Sequence, residues 1–195
     1  MNTLTRFIIQ RYSKQSLWSL FLMCAFPLHL WALILIFRDL SWVAERTNMW
    51  DAIGVASYGL VIAFIESALF FMAITLLGLV ISTRWREDRR VALLSVLALV
   101  TTLWAIDGQA YFIWGNYVPE QMLRHIGSSE HPLRLLYAAV LALVVPTIII
   151  PVYLVLKSDR FLSLIEGLIE RISFLTMFYL FFDLLGLVVV IIRNI

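Results

Sequence analysis

The 195-residue sequence predicts an all-α, polytopic transmembrane bundle of five membrane-spanning helices. Three observations predict it. Five stretches are each apolar over about 20 residues or more, the helical length that crosses a hydrocarbon core of roughly 30 Å. The composition is 62% hydrophobic against 14% charged, with a mean hydropathy of +0.92, which leaves too little polar surface for a water-facing domain of this size. Aromatic residues gather where the interfaces fall: Tyr12, Trp18 and Trp85 on one side, Trp42, Trp50, Trp114 and Tyr117 on the other.

The first span, 16–37, follows Arg11 and Lys14 as a secretory signal would. It is too long for one, holds Pro27 and His29, and lacks a small-x-small cleavage site, so it reads as a retained helix. Its Cys24 is the only cysteine, which excludes an internal disulfide and suits an apolar filler. In the second span, 52–82, Gly59, Ala63 and Ser67 recur every four residues, the small-residue seam that lets helix backbones approach, with Glu66 at its edge. The third span, 91–114, sets Ala98, Thr101, Ala105 and Gly108 with Gln109 on one side. On the other side Asp107 lies beside Trp104 and Tyr111, its carboxyl free to reach outward. The fourth span, 135–156, carries Pro146 and Pro151, which free backbone carbonyls that neighbours, Thr147 or water must satisfy.

The fifth span, 172–192, places Thr176, Tyr179, Asp183 and Gly186 at i, i+3, i+7 and i+10, one face that should point into the bundle. Ahead of it, 159–170 sets Phe161, Leu164, Ile165, Leu168 and Ile169 opposite Arg160, Glu166 and Glu170, with Ser158 or Asp159 as cap. Two arrangements stay open for that segment: an amphipathic helix lying along the membrane surface, or a three-turn extension of the fifth span. The longest connections, 38–51 and 115–134, are too short to bury a core of their own, so 1–195 is expected to be a single integral membrane domain.

Basic residues are unevenly shared between the two sides. With the N-terminus inside, the inner segments hold Arg6, Arg11, Lys14, Arg84, Arg86, Arg89, Arg90, Lys157, Arg160 and Arg171, ten in all. The outer segments hold five: Arg38, Arg46, Arg124, Arg134 and Arg193. The positive-inside rule therefore favours N-terminus in and C-terminus out. No basic run of the nucleic-acid-binding kind occurs.

Ionisable residues inside the bilayer are the candidate functional groups, because a charge there costs at least ~2.5 kcal/mol even on insertion scales. They are His29, Glu66, Asp107 and Asp183, joined by the phenol of Tyr179. His29, Glu66 and Asp183 fall near mid-depth, and Asp107 about 7 Å nearer the outer face at ~1.5 Å per residue. No Lys or Arg shares their depth. They can act as hydrogen-bonded ties between helices or as a proton or cation pathway, and as a metal site only where their faces meet. In the 115–134 loop, His125, Glu130 and His131 match no standard zinc spacing and read as a solvated loop. With no nucleophile elbow, phosphate-cradling glycine loop or Cys pair, no catalytic residue, cofactor or metal ligand is expected.

One family resemblance rests on Ala25-Phe-Pro-Leu-His-Leu-Trp31 in the first span and Arg86-Glu-Asp-Arg-Arg-Val-Ala-Leu-Leu94 opening the third. Their order, and the in-to-out topology, resemble the five-helix membrane region of lipoteichoic-acid-synthase-like, sulfatase-type enzymes. The resemblance covers the chain up to about residue 115. In that family a large extracytoplasmic catalytic domain with a metal site and a nucleophilic Thr follows the membrane region. The resemblance thus carries over no catalytic residue and implies a membrane part serving a separately encoded partner in cell-envelope assembly. The expected function is a non-catalytic scaffold or subunit of such an assembly in a prokaryotic cytoplasmic membrane. Its partners would be the lipid bilayer and either another membrane protein or further copies of itself. The alternative is a small proton- or cation-coupled transporter or channel subunit that uses the intramembrane carboxyls.

Overall fold

The computed structural model describes residues 11–115 and 119–195. Arg6 and Tyr117, counted above for sidedness and for the aromatic belt, lie outside the described residues. Among the described residues the fold is all-helical: α1 (Lys14–Arg46), α2 (Met49–Gly78), α3 (Glu87–Ile113), the short α4 (Glu120–Gly127), α5 (Pro132–Lys157) and α6 (Asp159–Asn194). Five of these are long and apolar enough to cross a membrane, which makes this a multi-pass membrane protein.

Four of the five long helices are longer than the apolar stretches that announce them. The first runs on from 37 to Arg46, nine residues of the expected outer connection, and only Thr47 and Asn48 separate it from α2. Arg46 stacks 4.0 Å over the Trp42 ring at i, i+4, holding the last turn. Asn48 then caps α2, its side-chain oxygen accepting from the Asp51 amide at 2.9 Å. Hydropathy marks the hydrocarbon-facing length of a helix, whereas its end is set by caps, and here the caps lie in water-compatible sequence. At the far end of α2 the helix stops at Gly78 and 79–80 form a turn, short of the expected 82.

Residues 159–170 are the first turns of α6, continuous with the span behind them. Ser158 caps that helix by accepting from the Phe161 amide at 3.2 Å. Leu162, Ile165 and Ile169 are buried in a cluster with Met23 of α1, Ala92, Leu93 and Val96 of α3, and Val155 of α5. Of the predicted apolar stripe, Phe161, Ile165, Leu168 and Ile169 face neighbouring helices, while Leu164 stays exposed. At 36 residues α6 is about 54 Å long at ~1.5 Å per residue, well beyond the hydrocarbon thickness. The short α4 within the 115–134 connection was not foreseen; Pro119 takes its N-cap position, and Pro132 starts α5 at its first turn. α1 and α5 continue through Pro27, Pro146 and Pro151.

α1 is the hub, packed against α2, α3 and α6, while α5 contacts α3 and α6 at the periphery and buries only Val155. Packing is densest toward the start of α1, where Tyr12, Leu20, Cys24, Ile74, Val91 and Leu94 form a second cluster. Arginines stitch that end. Arg11 donates to the Leu79 and Ile81 carbonyls, Arg90 to the Arg11 carbonyl at 2.8 Å, and Arg89 to the Leu156 carbonyl at 2.8 Å while pairing with Asp159. At the opposite end Arg193 joins α6 to the start of α2, donating to the Trp50 carbonyl and to Asp51 Oδ1 at 2.6 and 2.7 Å.

Candidate functional site: a buried histidine–aspartate tie

His29 lies near the centre of α1 and Asp183 in the second half of α6, and the bundle brings them together. The His29 ring is fully buried and its Nε2 stands 2.7 Å from Asp183 Oδ2. Its Nδ1 lies 2.8 Å from the Ala25 carbonyl, one turn back on the same helix. A carbonyl can only accept, so Nδ1 carries a proton. A separation of 2.7 Å between Nε2 and Oδ2 requires a second proton between them. The pair therefore carries no net charge, whether that proton resides on the imidazole or on the carboxyl. This is how two ionisable groups sit at mid-depth without an isolated charge in hydrocarbon.

Two further helix contacts frame the pair. Ser67 of α2, fully buried, donates to the Ala63 carbonyl at 2.6 Å and lies 3.4 Å from His29 Nδ1. Tyr179, half-buried on α6 one turn before Asp183, stacks on His29 and on Phe26, with ring centroids 6.3 and 6.1 Å apart. Thr176 and Gly186 are buried on the same face of α6. Thr176 turns its hydroxyl back to the Ile172 carbonyl at 2.8 Å, and a Cβ at Gly186 would meet the Ser57 carbonyl oxygen of α2 at 3.3 Å. One carboxyl oxygen, Asp183 Oδ1, is buried without a hydrogen-bond partner.

The other candidates lie elsewhere. Glu66 precedes Ser67 by one residue and so points about 100° away from it around α2, into a crevice between α1, α2 and α3. Asp107 is exposed on α3, in a shallow depression beside Leu103, Trp104 and Thr147 of α5. His29, Glu66 and Asp183 do not converge, and among the described residues no three His, Cys, Asp or Glu side chains do so. Two interhelical bonds had no sequence signal: Trp31 Nε1 donates to Gln109 Oε1 at 2.6 Å, and Trp104 Nε1 to Thr147 Oγ1 at 2.8 Å. Both use indole N–H groups, which the sequence suggests only as interfacial or packing residues. Thr147 in turn donates to the Val144 carbonyl at 2.7 Å. Compared with known proteins, the chain matches no protein-family model, no curated protein and no solved structure.

Proposed function

We propose that this protein is a non-catalytic subunit or scaffold of a membrane assembly in a prokaryotic cytoplasmic membrane, with its N-terminus inside and its C-terminus outside. The observation that carries the reading is the local closure of the buried polar groups. His29, Asp183, Ser67 and Tyr179 fasten α1, α2 and α6 at one level, and among the described residues no hydrogen bond leads from them to Glu66 or Asp107. A relay needs a chain of donors and acceptors reaching both faces, and this set is a knot. The arginine-rich end, with Arg11, Arg89 and Arg90, supports the orientation by the positive-inside rule. The cell-envelope role follows the resemblance to the membrane region of sulfatase-type synthases. Purification in mild detergent with mass spectrometry of co-eluting proteins tests it. A stoichiometric membrane-associated partner is expected, and a homogeneous species without any partner contradicts it.

One observation favours a second reading, a small proton- or cation-coupled transporter or channel subunit. The pair holds a shared proton beside the unpartnered Asp183 Oδ1, and an unfilled acceptor at mid-depth is where a cation or water would dock. Asp183→Asn then abolishes flux in an intact fold.

A further inference from the structure

Where the chain leads into α3, a depression of about 430 Å³ opens against the end of α5. That is within the range of small-molecule sites. The described residues that line it are Arg84, Trp85, Arg86, Arg89, Leu156 and Lys157, so four are cationic and none is acidic. Arg89 is only partly exposed and is fixed in place, donating to the Leu156 carbonyl at 2.8 Å while pairing with Asp159 of α6. Arg86 pairs with Asp88 at 2.9 Å. The Arg84 and Lys157 side chains have no partner among the described residues. Four cations answered by two carboxylates leave an excess of two positive charges at this spot. Its depth is marked by the sequence: the apolar stretches 52–82 and 135–156 end here and 91–114 begins nearby. That is the level of the lipid phosphates, just outside the hydrocarbon, and Trp85 is the kind of amphipathic ring that settles there. Toward the bilayer centre, Lys157, Tyr153 and Ile150 stand at i, i−4 and i−7 on one face of α5, and Tyr153 and Ile150 are exposed.

We propose that this depression binds an anionic phospholipid, its phosphate against Arg84 and Lys157 beside Arg89 and its acyl chains along Tyr153 and Ile150 of α5. Position and charge select that occupant. A phospholipid is amphipathic in the same sense as the site, with charge at the interface and hydrocarbon below, so no charged group enters the bilayer core. A choline or ethanolamine head would bring its ammonium against four cations with no carboxylate in the lining to receive it. The site therefore prefers a head whose only charge is the phosphate, such as phosphoglycerol, held by charge-assisted hydrogen bonds. A free phosphate or an acidic protein segment matches the cations alone, whereas a lipid also covers the exposed α5 face beneath them. The site stands apart from the His29–Asp183 tie and rests neither on the subunit reading nor on the orientation across the membrane.

The test uses the full chain in mild detergent, titrated with dioleoyl phosphatidylglycerol or dioleoyl phosphatidylcholine, with native mass spectrometry reading the lipid-bound fraction. Phosphatidylglycerol is expected to bind at least fivefold more tightly than phosphatidylcholine. Arg84→Gln combined with Lys157→Gln, both at exposed side chains, is expected to weaken phosphatidylglycerol binding about tenfold. Arg160→Gln combined with Arg171→Gln removes two exposed charges from the same end but outside the depression, and is expected to leave binding within threefold of wild type. Glycerol phosphate in large excess is expected not to displace the lipid, which separates a lipid site from one for a free phosphate. Equal binding of the two lipids, equal losses in the two double variants, or displacement by glycerol phosphate overturns the proposal.

Discussion

His29 and Asp183 lie 154 positions apart, and their meeting at 2.7 Å decides the chemistry of the bundle centre. Because the pair shares a proton, an amide can replace the carboxyl: Asp183→Asn still donates to Nε2 and should cost no more than about 1 kcal/mol. Asp183→Leu leaves the ring nitrogen unpartnered and should cost about 1–3 kcal/mol. Unfolding of both variants in mixed micelles checks the difference, and equal losses would refute the assigned proton positions. A hydrophobic carbodiimide, which adds to carboxyls reached from the bilayer, should modify Glu66 and spare Asp183; peptide mapping reads this directly, and the reverse pattern would place the crevice wrongly. The depth of each residue and the inward face of α6 were legible from spacing alone. Which faces meet was not, because periodicity orders residues around their own helix and says nothing of the neighbour's rotation. Glu66 shows the limit: one position from the seam residue Ser67, it turns outward to the crevice while Ser67 reaches His29.

Helix limits follow local chemistry that hydropathy does not see. Five spans were legible because runs of 20 or more apolar residues have few other structural outcomes. The nine-residue extension of α1, held by Trp42 and Arg46, and the join of 159–170 to α6 depended on caps and tertiary burial. Glycines separate the roles of the helices. At Gly186 the space is closed by the α2 backbone, so Gly186→Leu should push α6 from α2 and destabilise by about 1–3 kcal/mol. At Gly108 nothing lies within 4 Å, so Gly108→Ala should be neutral or stabilising by up to about 1 kcal/mol, since alanine is the better helix former. Thermal unfolding of the two variants in the same detergent compares them; similar destabilisation of both would contradict the packing described.

Across the whole molecule, polar fastenings lie at three levels: arginines to carbonyls at one end, the His29–Asp183 pair at the centre, and Arg193 with Asp51 at the other. The dense clusters fill the arginine-rich half, and the crevice opens in the rest. The proposed subunit reading gives the central polar pair a fastening role. Proton uptake by proteoliposomes under an inside-negative potassium diffusion potential tests that role most directly. The account predicts uptake no faster than in protein-free liposomes, unchanged by Asp183→Asn; uptake well above that background and abolished by Asp183→Asn would contradict it.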